Sequence, residues 1–288
     1  MDVTIVIPCF NVSKTIKSQL NALASQQWSD DWEVILVDNG STDNWQETIA
    51  EFADKISNLK VVDASKVKGP AHARNVGVSF SNSDLLLFCD ADDEVAPGWI
   101  SAMTTALSKY DFVAGRLDPF KLNEPWVIET RECPQQKSLQ PYASARYLEH
   151  AAGCNLGMRR SVYDLVGGFE ESMQALDDTD FCWKAQLAGI SLHFVSDAVV
   201  YYRLRNNLKG IYSQSRAYGE ENVILYKKYR SLGMPKRPWM AGIKSWGRML
   251  VLFVLLPYKG KGIGKWVWTF GWLIGRLQGS IRYRIIAF

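Results

Sequence analysis

The chain has 288 residues, 47% of them hydrophobic and 22% charged, with a formal charge of +3. That is enough apolar material for a large core, which excludes a disordered, collagen-like or disulfide-stapled small protein. The charge is lopsided: beyond Glu221 there are 13 Lys or Arg and no acid, so residues 1–221 carry 20 basic against 30 acidic side chains.

From the N-terminus, apolar runs over 3–7, 33–37, 59–62, 84–89 and 112–114 predict strands. Between them, 13–26, 43–56, 70–80 and 97–107 predict helices, each opened by Ser, Asp or Pro. This alternation predicts an α/β fold, a Rossmann-like, mostly parallel sheet flanked by helices. Residues 117–146 break the pattern with Pro119, Pro125, Pro134 and Pro141, giving a long irregular excursion with one short strand near Trp126. Then follow an apolar run at 153–158, a helix over 176–188 and strands at 191–195 and 198–202. The expected division is a catalytic domain over 1–230 (a nucleotide-binding half 1–116, the excursion 117–150 and an acceptor half 151–230) and a tail over 231–288.

The tail predicts a helix over 208–230, a break at Pro235 and Pro238, and apolar segments at 249–256 and 263–275 separated by a turn over 257–264. Neither segment supplies the about 20 uninterrupted apolar residues of a spanning helix. Five of the eleven Trp fall in this acid-free region, Trp239, Trp246, Trp266, Trp268 and Trp272. Aromatic rings at headgroup depth and cations over anionic lipid, at roughly 1 kcal/mol per basic residue, make 236–288 a membrane-surface appendage. Packing on the core is the alternative. The five cysteines are odd in number and never in a C-x-x-C pair, so neither a disulfide framework nor a zinc site is expected. Met1 runs straight into a strand pattern, without the basic and then apolar order of a leader. The expected location is cytoplasmic, at the inner face of the plasma membrane.

The chemistry concentrates at strand ends. Leu85–Cys89 runs into Asp90-Ala91-Asp92-Asp93, placing carboxylates outside a parallel sheet where α/β folds bind ligands. An Asp-x-Asp pair, Asp90 and Asp92, suits a hard divalent cation (Mg²⁺ or Mn²⁺) whose other positions go to phosphate oxygens, although Asp is also a common turn residue. The first strand ends Ile7-Pro8-Cys9-Phe10-Asn11 and the second Val37-Asp38-Asn39-Gly40-Ser41-Thr42-Asp43. Asp38 and Asn39 offer an acceptor and an amide that suit a base and ribose, or an ordinary turn. Arg74 and Asn75 lie on the first turns of a helix pointing to the same edge, placed for phosphate or base. Asp177, Asp178 and Asp180 open a helix, where acids either complement the dipole or, forced together, raise one pKa toward that of a general base.

Seven motifs stand in order: the Ile-Pro-x-Phe-Asn opening, V-D-N-G-S-T-D, G-P-A-x-A-R-N-x-G, D-A-D-D, G-C-N-L-G-M-R-R at 153–160, Gly167-Gly168-Phe169 and D-D-T-D-F. Together, from Val3 to about Arg230, they resemble the inverting family 2 glycosyltransferases with the GT-A fold. The resemblance implies a nucleotide-sugar donor, UDP-linked as the commonest case, with base and ribose near Pro8, Phe10, Asn11, Asp38, Asn39, Arg74 and Asn75. It implies Asp90 and Ala91 beside the ribose and cation, Asp92 as the main metal bridge, and Gly153, Cys154 and Asn155 lining the sugar and acceptor pocket. Asp178 would be the general base, taking a proton from an acceptor hydroxyl, with Asp177 beside it. The acceptor implied is a carbohydrate or a lipid-linked glycan.

Two positions depart from the family pattern. Asp177 stands where the family has Glu, and Tyr202 where many members have a metal-binding His. The segment 214–219 faintly resembles a Gln-x-x-Arg-Trp element. A sugar nucleotidyltransferase would show a Gly-rich basic loop after the first strand, and 7–11 is not one. The non-enzymatic alternative is an inert GT-A scaffold binding a partner or membrane. Nucleic acid is not an expected partner, since no such motif is present.

Overall fold

The computed structural model describes residues 2–56, 58–142, 147–235, 239–259 and 262–285. Pro238, residues 143–146 of the excursion and 260–261 of the expected tail turn lie outside the described residues, as does the side chain of Trp239.

Eight strands are described: β1 (Val3–Cys9), β2 (Trp32–Asp38), β3 (Leu59–Asp63), β4 (Leu85–Cys89), β5 (Glu94–Val95), β6 (Phe112–Asp118), β7 (Asn155–Arg159) and β8 (Leu192–Tyr201). They form one sheet in the order β3-β2-β1-β4-β7-β6-β8-β5. β1 to β4 are mutually parallel, as expected, and β6 is parallel to β8. β7 enters antiparallel between β4 and β6, setting Cys89 opposite Asn155. It arrives from the excursion rather than through a helical crossover, which frees it from the parallel direction.

The alternation along β1, β2 and β4 sorts side chains onto two cores. Val6, Val37 and Phe88 face helices α2 (Pro70–Ser79) and α6 (Asp177–Leu187), while Ile5, Leu36 and Leu87 face α1 (Ile16–Ala24) and α3 (Trp99–Leu107). Three expectations change in detail. The segment 43–56 forms a 3-10 helix over Trp45–Phe52 rather than an α-helix. The expected strand near Trp126 is a helical turn, α4 (Pro125–Ile128), with Pro at its first position. The strands expected at 191–195 and 198–202 are one strand, β8, with a register jump opposite Gly115 and Arg116. The helix α5 (Arg160–Val166) was not read from the sequence.

The tail folds as α7 (Leu208–Tyr229), α8 (Trp239–Lys259) and α9 (Ile263–Arg282). α8 runs through Pro257 to Lys259 and α9 begins at Ile263, so the turn expected from 257 does not start there. α9 lies along α7 through glycines spaced four apart: Gly275 meets the Arg216 carbonyl, and a Cβ on Gly279 would stand 2.7 Å from the Glu220 carbonyl oxygen. Two of the tail indoles make ring contacts, Trp266 with Phe270 at 5.1 Å and Trp268 with Tyr218 at 6.0 Å, and both remain partly exposed. α8 leaves aliphatic and Phe side chains exposed, among them Ile243, Leu250, Val251, Phe253 and Val254, together with Lys244 and Arg248. Among the described residues, no helix is long and apolar enough to cross a membrane.

Candidate active site

The C-terminal ends of β1 and β4 open into a cleft of about 920 Å³, walled by Pro8, Phe10, Asn11, Asn39, Asp90, Ala91 and Asp92 and closed by 122–127 of the excursion and 203–207 after β8. Phe10 is 52% exposed, a ring held out over the opening and available to stack on a base. Asn11 adopts φ 53° and accepts from the Thr42 N–H, so its turn is tied to the one after β2.

Buried Gln19 sets the acidic loop, donating to the Asp90 carbonyl at 3.1 Å and accepting from the Val95 N–H. Asp90 and Asp92 remain partly exposed to the cleft, with 34% and 29% of their side chains accessible. Burial, and then the neighbouring charge of Asp90, raise the Asp92 pKa. Such a pair gains from a cation, and two carboxylates with donor phosphate oxygens meet the needs of Mg²⁺ or Mn²⁺. Asp93 is different: it is 1% exposed and accepts from the Arg203 N–H at 2.7 Å. Asp90, Asp93 and Cys154 also approach within 4.8 Å of one another. Burial pushes the Cys154 thiol far up, leaving a neutral soft donor ill suited to a hard cation.

Arg74 joins the donor side to the second acidic pair. From α2 it donates Nη2 to Asp90 at 3.0 Å and Nη1 to Asp177 at 2.9 Å, with 5% of its side chain exposed. A Cβ on Gly153 would stand 2.9 Å from the guanidinium carbon, so only glycine leaves room for it. Arg74 is therefore an internal clasp rather than a base or phosphate contact. Asp178, next to Asp177, accepts from the Gly153 N–H at 2.8 Å and the Thr179 N–H at 2.6 Å. Desolvation and then the Asp177 charge push its pKa up to about 7, the range of a working general base.

Several expected binders are taken up by the fold instead. Asn155 is fully buried, accepts from the Trp99 indole N–H and donates to the Arg116 and Ala198 carbonyls, filling the β8 bulge. It does not line a sugar pocket. Asn75 bonds Phe169, Tyr163 and Glu171. Asn39 fastens the 64–69 loop through Ala64, Val67 and Gly69 while still forming cleft wall. Asp38 accepts from the Ser41 N–H and the Gln46 amide. Tyr202 turns its hydroxyl to Arg131 at 2.9 Å.

Other residues that shape the site were not singled out from the sequence. Lys14, Lys68, Arg203 and Arg205 line the cleft, with Arg205 3.4 Å from Asp92. Glu221 on α7 accepts three successive backbone N–H groups, those of Gln174, Ala175 and Leu176, at 2.6 to 2.9 Å, fixing the entry to α6 and hence the Asp177–Asp178 pair.

The model of glycosyl transferase family 2 matches residues 4–167. The chain belongs to that family. It is a glycosyltransferase with the GT-A fold, as its order of motifs led us to expect. It is 27% identical to the glycosyltransferase AglE of Haloferax volcanii over 264 residues, 90% of this chain and 82% of that protein. Against another curated relative it spans about half the length, 54%. Its fold matches the Pyrobaculum calidifontis mannosyltransferase PcManGT, solved with GDP-Man and Mn²⁺, at TM-score 0.67 and 17% identity over 96% of this chain and 86% of that one. It also matches S. aureus TarS 1–349 with UDP-GlcNAc, at TM-score 0.56 and 16% identity over 99% of this chain and 93% of that one.

Proposed function

We propose that this family 2 enzyme transfers a sugar from a nucleoside-diphosphate sugar, UDP-linked, to an acceptor hydroxyl with inversion, in cell-surface polysaccharide or glycolipid synthesis. The observation that carries this reading is the Arg74 clasp, which fixes the donor-side Asp90 to Asp177, the immediate neighbour of Asp178. Base and ribose lie against Pro8, Phe10 and Asn11. The diphosphate lies between the cleft cations and the acidic loop. A divalent cation held by Asp90 and Asp92 supplies charge neutralisation to the departing nucleoside diphosphate.

Asp178 takes the proton of the acceptor hydroxyl as its oxygen attacks the anomeric carbon from the face opposite the leaving group. Burial, and then the charge of its neighbour Asp177, keep the base at a pKa useful near neutrality, while Arg74 holds Asp177 in place beside it. Bound Mn²⁺ in PcManGT and bound UDP-GlcNAc in TarS support the donor and cation assignments by likeness of fold. In this reading 1–230 is the catalytic unit and 231–288 an appendage that rests on anionic lipid at the inner membrane face, through the aliphatic face of α8 and flanking cations such as Lys244 and Arg248.

A thermal-shift panel of UDP-, GDP-, dTDP- and CMP-sugars with and without Mn²⁺ tests it. A ligand bound only by the native state raises apparent stability. A Mn²⁺-dependent rise with one nucleotide is expected, and no rise with any of them contradicts the donor assignment. Flotation with anionic liposomes, lost on removal of 236–288, tests the appendage.

A further inference from the structure

The first turn of α9 lies against α4, the helical turn that gives Trp126 and Val127 to the cleft wall. A Cβ at Gly264 would stand 2.5 Å from Thr130 Cγ2 and 3.8 Å from the Trp126 ring, so glycine is what lets α9 come this close. One turn further on, the Trp268 ring centre lies 4.6 Å from the guanidinium carbon of Arg131. Arg131 Nη2 donates to the Tyr202 hydroxyl at 2.9 Å, and the same guanidinium bonds the Tyr218 hydroxyl of α7. Arg131 thus ties the excursion to α7, to α9 and to the residue that follows β8.

From that tie a chain of bonds runs to the acidic loop. Asn123, in the same stretch of cleft wall, donates to the Tyr202 carbonyl and accepts from the Leu204 N–H, each at 2.7 Å. Between those two residues, Arg203 holds the Asp93 carboxylate through its N–H and the Asp92 carbonyl through Nε, again at 2.7 Å each. Gly264, Trp268 and Arg131 do not line the cleft themselves. Close packing transmits a displacement of one member to the next.

We propose that α9 is a brace of the donor cleft, with Gly264, Trp268 and Arg131 as positioning residues that hold the 122–131 wall, so that donor affinity depends on the docking of α9. By linkage, the donor tightens that docking by the same factor. This rests on the donor reading of the cleft and makes part of 231–288 a working piece of it.

The test joins calorimetric titration of the full chain with UDP and with GDP, each with Mn²⁺, to limited trypsin digestion with and without the nucleotide that binds. Gly264→Ala is expected to weaken binding about tenfold, within the usual range of coupling between linked sites. Adding Thr130→Ser, which removes the methyl that the new Cβ meets and keeps the hydroxyl bonded to the Val127 carbonyl, restores affinity to within about twofold of wild type. In wild type, nucleotide slows the release of 231–288 by about threefold or more, and cuts elsewhere change less. A merely structural contact would not respond to the ligand, and this digestion decides the matter even if Gly264→Ala does not fold. The proposal is overturned if Gly264→Ala binds nucleotide as wild type does, if Thr130→Ser fails to restore the loss, or if nucleotide leaves the release of 231–288 unchanged. A wild-type chain that binds neither nucleotide would overturn the donor reading and the brace together, whereas binding that ignores Gly264→Ala overturns the brace alone.

Discussion

Arg74 and Asp177 are 103 positions apart in the chain and meet at 2.9 Å, Nη1 to Oδ2. Both are almost wholly out of water, with 5% and 3% of their side chains exposed. Removing one member of such a pair leaves a buried charge without its partner, at a cost of about 3–5 kcal/mol. Arg74→Met is therefore expected to lower stability by about that much, since it strands Asp177 and frees Asp90. Urea unfolding checks it through a fall in midpoint with the slope unchanged.

The state of Asp178 sets the pH response. Its pKa is raised from 3.8 to about 7, and a general base acts only when ionised, so turnover should fall as pH drops through about 7. The native state holds a proton that the unfolded chain releases between these two values, so this group makes stability decline as pH rises across that window. Asp178→Asn abolishes the decline. Relative to wild type it should gain on the order of 1–2 kcal/mol in going from about pH 5 to about pH 8, allowing for the partial exposure of the side chain. Parallel denaturation curves at the two pH values measure this.

Asp92 and Asp93 are adjacent and should behave differently. Asp92→Asn removes a cleft carboxylate, so Mn²⁺ should no longer strengthen nucleotide-sugar binding, while stability changes little. Asp93→Asn alters a buried side chain that holds the Arg203 N–H, so it should lower thermal stability and leave the Mn²⁺ dependence in place. Paired titrations with and without Mn²⁺, together with melting curves, separate the two.

Two glycines of the tail give opposite expectations. A Cβ at Gly275 collides with the Arg216 backbone, so Gly275→Val should force α9 off α7, costing at least about 1–3 kcal/mol and exposing 231–288 to trypsin. Gly247 on α8 has open space around it, and Gly247→Ala should stabilise the helix by about 0.5–1 kcal/mol. Native-state proteolysis reads both.

The parts legible in the sequence were those that local pattern encodes. The buried parallel strands are continuous apolar runs, and the acidic loop and the Asp177–Asp178 turn stand where strands and helices end. The amides misled because their partners lie far off in the chain: nothing near Asn155 announces the Ala198 carbonyl, and nothing near Asn75 announces Phe169. Glu221 was hidden for the same reason, an acid on an amphipathic helix whose three partners lie 45 to 47 positions away. The tail indoles read as lipid anchors by composition, and the contact of Trp268 with Tyr218, 50 positions earlier, has no local signal.

The most direct test of the account is acceptor-dependent turnover of the nucleotide sugar by wild type and Asp178→Asn, with donor affinity measured on the same preparations. The account predicts a loss in Asp178→Asn of at least about 100-fold, the lower range for a general base, with donor affinity unchanged. Turnover within a few-fold of wild type would contradict the assignment of Asp178, and with it the mechanism built on the Arg74 clasp.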